Sequence, residues 1–598
     1  MYDSYAAFLR YLSADMIFRS GGGHLSMPLG FADVMSVLVM KFLNYNPLEP
    51  KWFNRDRLVL SIGHGSALLY SFYFLAGYAD CNLEDLRNFR KFGAKSSSHP
   101  EYRKFAATET TTGLLGEGLA TAVGMAIAQK KYEALVGKDL CNYKIYVIVG
   151  DGCLMEGVSY EVSSLAGHLG LDNLVILFDD NRVTADGDTS LSVSENQILK
   201  FQALGFDAES IDGHNYSEIE AALSRAVKSP KPYFIACKTI PGFGTEQNDH
   251  MGKVSEDELI AFRNKAFDSS FSVVGISKYY VWQQRYIKAS EVQKEMIASD
   301  NIFLSLQNSG EENISMRKAS SLCLEQISEN PRFIVGSADL GSSTCAKLKS
   351  LKEIKKGDFT GNYLNYGVRE HGMASIMNGL ALSGLTAIGS TYLSFSDYMR
   401  PAIRMAAMQQ LPVIYFFSHD SIMVGEDGPT HQPIEHIDSL KLIPNVNFAR
   451  PCSLSEMVES MNLALASNKP TIFALSRQEI ILREYNSSKA EYVDFCIFAS
   501  GSDVAIAREV GQKLSDLGKS TKVMSIPFWS SEMKIPNCNA KIKVAIETGT
   551  GMFWQRIIGN DGVIFNIRDF GLAGSSSEVL KYFGLIAEQV TIELEKLI

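Results

Sequence analysis

Gly150-Asp151-Gly152 follows the apolar run Tyr146-Val147-Ile148-Val149, and Asp179-Asp180-Asn181 follows a second run, Leu174-Val175-Ile176-Leu177-Phe178. Short runs that are apolar at every position fit strands of a parallel sheet covered on both faces. Between them, Glu156 to Gly167 (EGVSYEVSSLAG) reads as a helix, so the segment makes one strand–helix–strand crossover. Such a unit delivers Asp151 and Asn181 to one point at the carboxyl edge of the sheet, where open α/β sheets bind ligands. One carboxylate, one amide oxygen and a helix N-terminus suit a hard divalent cation carrying a diphosphate. Either residue alone would be an ordinary turn former. The pair, about thirty residues apart with Gly152 and Gly157 beside it, favours the cradle.

At 598 residues the chain is too long for one core, so several domains are expected. Hydrophobic content of 46% and charged content of 21% are those of a globular protein. Fifty-seven Lys and Arg against 67 Asp and Glu give a net charge of −10, which argues against nucleic acid as partner. Nine scattered cysteines predict no disulfide framework and a reducing compartment. No signal peptide and no membrane-spanning run is read, so the expected location is cytoplasmic, with no membrane partner. The residue pattern divides the chain into an α/β domain over 1–255, a charged connector over 256–312, a second α/β domain over 313–480, a polar link and a third α/β domain over 490–598.

Beyond the opening stretch, further segments follow in order: SADMIFRSGGGHLSMPLG (13–30), DRLVLSIGHGSALLYS (56–71) and ATETTTGLLGEGLATAVGMA (107–126) in the first third. NYGVREHGMASIMNG (365–379), SHDSIMVGEDGPTHQP (418–433), LSRQ (475–478) and KVAIETG (543–549) come later. Together with GDGCLMEG through FDDNRVTADG, this series resembles the transketolases, a thiamine-diphosphate-dependent family. The resemblance implies three doubly wound α/β domains with mainly parallel sheets: diphosphate-binding, pyrimidine-binding and C-terminal.

The resemblance also assigns roles. Asp151, Asn181 and the backbone carbonyl of Val183 would bind Mg, for which Ca or another divalent cation can substitute. His64, Gly113, Leu115, Gly152, Glu156, Asn181, Asp339 and Phe395 would hold thiamine diphosphate, with Phe395, beside Tyr392 and Tyr398, stacking on its pyrimidine. Glu370 would stabilise the imino tautomer of that ring, which is acid–base catalysis routed through the cofactor. His24, His250 and His431 would handle protons near the breaking bond. His99 would bind the transferred unit, and Arg317, Ser343, His419 and Arg477 would clamp the substrate phosphate. Asp427 would recognise a substrate hydroxyl. His168, His214, His371 and His436 read as packed or surface residues. A homodimer is implied.

The expected reaction is reversible transfer of a two-carbon ketol unit from a ketose phosphate such as xylulose 5-phosphate to an aldose phosphate such as ribose 5-phosphate or erythrose 4-phosphate, in the non-oxidative pentose phosphate pathway. Alternatives are a related enzyme with another acceptor, of the dihydroxyacetone synthase or deoxyxylulose-phosphate synthase type, and a non-enzymatic cofactor-binding scaffold. Two departures from the family pattern bear on the site. Gly21-Gly22-Gly23-His24-Leu25-Ser26 replaces the usual SGHPG, which predicts a looser loop at His24. The segment from Gly242 to Met251 is shorter than usual, which makes His250 the least secure of the histidines.

Overall fold

The computed structural model describes residues 1–246, 249–267, 302–306, 313–534 and 538–597. Contacts divide the chain into two compact units, Met1–Ala298 with Lys355–Thr360 and Asn378–Gly384, and Ser299–Ile354 with Gly361–Met377 and Leu385–Ile598.

The first unit's strands include β1 (Gly23–His24), β2 (Arg57–Leu60), β3 (Ile145–Gly150), β4 (Leu174–Asp180), β5 (Asp207–Asp212), β6 (Tyr233–Lys238) and β7 (Met251–Gly252), besides an antiparallel pair of two-residue strands, Val183–Thr184 and Gly187–Asp188. Five of them form an all-parallel sheet in the order β2-β3-β4-β6-β5. All six residues of β3 and the first six of β4 are buried, which explains their unbroken apolar sequences. Gly150 pairs with Asp179, so the two strands end nearly level and release Asp151 and Asn181 at the same edge. The small-residue helix α1 (Glu117–Val136) packs tightly near β2. A Cβ on Gly118 would lie 2.5 Å from the Ser61 Cα, too close for any residue but glycine.

The single helix expected between β3 and β4 is in fact two. Helix α2 (Asp151–Met155) starts where β3 stops, and α3 (Gly157–Leu169) follows it. Glu156 separates them with extended backbone angles, φ −67° and ψ 135°, which cannot continue a helix.

The second unit carries two sheets. Its strands are β8 (Phe333–Ser337), β9 (Tyr363–Asn365), β10 (Thr386–Tyr392), β11 (Ile414–Ser418), β12 (Asn447–Ala449), β13 (Thr471–Leu475), β14 (Tyr492–Ala499), β15 (Thr521–Ser525), β16 (Phe528–Trp529), β17 (Asn539–Ile546) and β18 (Val563–Phe565). The larger sheet runs β9-β8-β10-β11-β13-β12-β16, parallel except for the last pair, and the smaller runs β15-β14-β17-β18, all parallel. Phe416 and Phe473 of one sheet and Phe495, Ile497 and Val544 of the other belong to one hydrophobic core.

Arg450, fully buried after β12, ties the two sheets together. Its guanidinium pairs with Asp420 after β11 at 2.9 Å, with Glu547 after β17 at 2.6 Å, and with Asp503, which opens helix Asp503–Asp516. Burial pushes the Glu547 carboxyl up to about 7, against the pull of Arg450. Removing one partner from such a buried network leaves an uncompensated charge and costs about 3–5 kcal/mol.

Of the expected connector, Glu256–Phe267 is a helix, and residues 268–301 and 307–312 lie outside the described residues. The cysteine reading needs one correction. Cys496 on β14 and Cys538 just before β17, 42 positions apart, form a disulfide. Counting cysteines cannot reveal that pairing. Among the described residues no helix is long and apolar enough to cross a membrane.

Candidate active site

Asp151, Asn181 and Val183 line one cavity of about 460 Å³ at the carboxyl edge of the first unit's sheet, together with His64, Gly113, Leu115, Gly152, Glu156 and His250. Asp151, half-buried at the start of α2, has one carboxylate oxygen sealed from solvent with no hydrogen-bond partner. Burial first, and then the neighbouring Asp180 carboxylate, push its pKa up to about 7, although the backbone N–H of Arg182 pulls the other way. The Asn181 amide is clamped in place. Its Nδ2 donates to Asp179 at 2.7 Å and to the Ser26 hydroxyl at 3.2 Å, and its Oδ1 accepts from the Val183 N–H at 3.0 Å. A Cβ on Gly152 would meet the Leu115 side chain at 2.9 Å, so glycine keeps this wall open. A sealed, unpartnered carboxylate oxygen beside further acids fits a hard divalent cation, which would neutralise what desolvation makes costly.

Four imidazoles gather in the same unit. His24 lies 4.7 Å from His64, 5.3 Å from His250 and 6.1 Å from His99, measured between ring centroids, and His64 lies 4.5 Å from His250. Burial holds His24 down to about 4 and His64 to about 2, and lowers His99 and His250 as well. The cluster is therefore neutral at physiological pH. The glycine-rich loop at His24 is fastened rather than loose, because β1 pairs antiparallel with β7, Gly23 opposite Gly252 and His24 opposite Met251. That two-residue ladder also holds the short loop of His250 against the cluster.

In the second unit the assigned residues collect at the carboxyl ends of parallel strands. Glu370 is buried at the start of helix Glu370–Leu382, with the Thr391 hydroxyl 3.5 Å from its carboxylate. After β10, Phe395 stacks with Tyr392 at 5.5 Å and meets His431 edge-on at 5.3 Å, whereas Tyr398 is exposed. His419 is buried after β11, its ring 3.7 Å from that of Tyr392 and its Nδ1 2.8 Å from the Ser418 hydroxyl. Burial, with Arg317 and Arg477 both nearby, lowers its pKa to about 3. Arg317 donates to the Ser343 carbonyl at 2.7 Å and keeps a buried Nε without a partner. Arg477 donates to the Val424 carbonyl at 3.0 Å and lies 3.9 Å from Asp427. Asp339, exposed in the turn after β8, has a left-handed φ of 64°.

Two supporting roles escaped the sequence reading. Asp179, fully buried, orients the Asn181 amide and accepts from the Thr239 hydroxyl. The FDDN run contained the signal, since alternate residues of a strand share a face. His214, read as structural, accepts the Ile240 N–H at its Nε2 (3.0 Å) and lies 2.8 Å from Asp33 through its Nδ1. It thereby pins the start of the loop that leads to His250. No local pattern marks this, because Asp33 and His214 are 181 positions apart.

The family model for the thiamine diphosphate binding domain of transketolase matches residues 2–303, that for its pyrimidine binding domain residues 312–481, and that for the transketolase-like C-terminal domain residues 484–586. The chain belongs to the transketolase family. As a family member it is a transferase of ketol groups. A transketolase of Sinorhizobium medicae (strain WSM419) is 38% identical, over 99% of this chain and 93% of that protein. One from Cereibacter sphaeroides is 36% identical, over 97% of this chain and 96% of that protein. Among solved structures, the Campylobacter jejuni transketolase superposes with a TM-score of 0.91 at 34% identity, covering 100% of this chain and 99% of that one. The Pichia stipitis transketolase, solved in complex with sedoheptulose 7-phosphate, gives a TM-score of 0.92 at 32% identity, covering 100% of this chain and 97% of that one.

Proposed function

We propose that the chain moves a two-carbon ketol unit from xylulose 5-phosphate to ribose 5-phosphate or erythrose 4-phosphate in the non-oxidative pentose phosphate pathway, as a cytoplasmic, Mg-dependent homodimer. The observation that carries this reading is the cavity whose wall combines the unpartnered Asp151 oxygen with neutral imidazoles. Asp151, Asn181 and the Val183 carbonyl would hold the cation. His64, Gly113, Leu115, Gly152 and Glu156 would hold the diphosphate end of the cofactor, and Asp339 and Phe395 its pyrimidine end. When bound, thiamine diphosphate would supply a nucleophilic carbon and an electron sink for ketol transfer.

The chain's own groups would then do the rest. Glu370 shares a proton with the pyrimidine nitrogen. His24 and His250, neutral beforehand, take the sugar hydroxyl proton at a ring nitrogen, and the phosphates that arrive with cofactor and substrate make those nitrogens more basic. His99, Asp427 and His431 fix the hydroxyls, and Arg317, Arg477, Ser343 and His419 supply donors to the substrate phosphate. The reading needs residues of both units. Formation of sedoheptulose 7-phosphate from xylulose 5-phosphate and ribose 5-phosphate, dependent on Mg²⁺ and thiamine diphosphate, tests it. Glu370→Ala is expected to lower kcat about 10²–10⁴-fold. Turnover that survives this change undiminished would refute the assignment, and an acceptor panel including formaldehyde and pyruvate separates the related enzymes.

A further inference from the structure

We propose that a cavity of about 140 Å³ in the second unit binds a small organic anion, a carboxylate carried on a flat, one-ring apolar body. Lys441, which ends helix His436–Lys441, lines it with Phe448 on β12, Trp529 on β16, Phe553, Arg556 and Ile557. β12 pairs antiparallel with β16, Phe448 opposite Trp529, and the Phe553 ring meets that of Trp529 edge-on at 5.2 Å. The aromatic wall is thus built before any ligand arrives. The volume is close to the roughly 150 Å³ that holds one benzene ring.

Two donors on this wall lack acceptors. The Nζ of Lys441 and the Nε1 of Trp529 are both sealed from solvent without a hydrogen-bond partner. The neighbouring Trp554 shows the contrast, because its Nε1 donates to Glu547 at 2.8 Å. The Lys441 ammonium lies 4.3 Å from the Trp529 ring centroid and is supported by aromatic faces alone. The two nearby acids are engaged elsewhere. Glu547 accepts from Arg450 and Trp554, and Asp438 accepts from the Thr550 hydroxyl and the backbone N–H groups of Met552 and Phe553. Burial lowers the Lys441 pKa, against the pull of both carboxylates. Arg556, exposed with its guanidinium 5.1 Å over the Phe553 ring, adds a second positive charge, and no acidic side chain lines the cavity among the described residues. A buried cation and a buried N–H without acceptors are costly, and the oxygens of an anion relieve both. A water molecule can accept the same bonds but brings no charge, and the aromatic walls suit a flat apolar body better than a bare ion. None of these residues lines the cavity at Asp151, so the site is independent of the sugar-transfer reading.

The test is titration of the full-length protein, in the presence of Mg²⁺ and thiamine diphosphate, with 4-fluorobenzoate while the fluorine NMR signal of the probe is followed. Saturable binding of one equivalent per chain is expected, at least about tenfold tighter than that of the uncharged 4-fluorobenzamide. Lys441→Met, which keeps the apolar stem, should weaken it at least about tenfold, and Trp529→Phe, which keeps a ring but no N–H, severalfold, each with an unchanged circular dichroism spectrum. Arg477→Ala, which changes the substrate-phosphate clamp, should leave probe binding as it was. Binding that survives Lys441→Met, that is lost with Arg477→Ala instead, or that inorganic phosphate displaces as readily as benzoate does would overturn the proposal. So would the lack of any saturable binding at millimolar probe.

Discussion

One cavity wall carries two kinds of titratable group, and the same desolvation moves them in opposite directions. At the sheet edge, Asp151 and Asp179 are pushed up to about 7. Among the imidazoles, His24 is held down to about 4 and His64 to about 2. Acids and bases thus converge on their uncharged forms before any ligand arrives. The acids sit where a cation would restore their charge, and the bases where incoming phosphates would restore theirs. The difference between the two corners is therefore one of latent charge, and each change below targets one side.

The largest effect belongs to Asp151→Ala, which removes a sealed carboxylate oxygen without a hydrogen-bond partner from the cavity wall. Affinity for Mg²⁺ with thiamine diphosphate should fall more than about 100-fold, beyond what outer-shell changes cost, as read by calorimetry. Binding within tenfold of the unaltered protein would show that the acidic corner does not hold the cation. Next comes pH. A carboxyl with its pKa raised to about 7 must shed its proton to bind a cation, so cation affinity should fall about tenfold per pH unit below 7 and level off above it. The histidine corner should do the opposite of an exposed one. In the cofactor-free protein, NMR should find the His24 and His64 rings neutral down to pH 5.5.

Asp179→Asn keeps the shape but loosens the clamp on the Asn181 amide, and a loss of about tenfold in cation affinity is expected. An unchanged dissociation constant would reduce Asp179 to a core residue. The smallest effect is that of His214→Ala. Losing the acceptor for the Ile240 N–H costs about 1 kcal/mol locally, so KM for sugar should rise severalfold with kcat nearly kept. A Gln at this position, able to accept the same bond, should restore much of the loss. If kcat falls and KM does not, His214 acts in some other way.

Much of this was legible in the chain because it was local. The strand-edge pair Asp151 and Asn181 could be read from two apolar runs and the turns that end them, and the structure puts both on one cavity. The short helix Asp151–Met155 is not legible, since Gly150-Asp151-Gly152 reads as a turn, whereas the helix start read at Glu156 lies within one residue of the observed one. The β1–β7 ladder escaped notice because two-residue strands carry no periodicity. The shortness of the segment from Gly242 to Met251 marks His250 as the least secure histidine, yet its ring lies 4.5 Å from that of His64 and 5.3 Å from that of His24. Partnerships across long separations, such as Asp33 with His214 or Arg450 with Glu547, have no sequence signature at all.

The central claim is that desolvation raises the Asp151 carboxyl to about 7, so that at pH 6 it is largely protonated until a cation binds. An infrared difference spectrum at pH 6, taken before and after Mg²⁺ and thiamine diphosphate are added, tests it directly. The account predicts loss of a protonated-carboxyl band on binding, with that band already diminished in cofactor-free Asp151→Asn. An unchanged carboxyl region at pH 6, or a band just as strong in the variant, would contradict it.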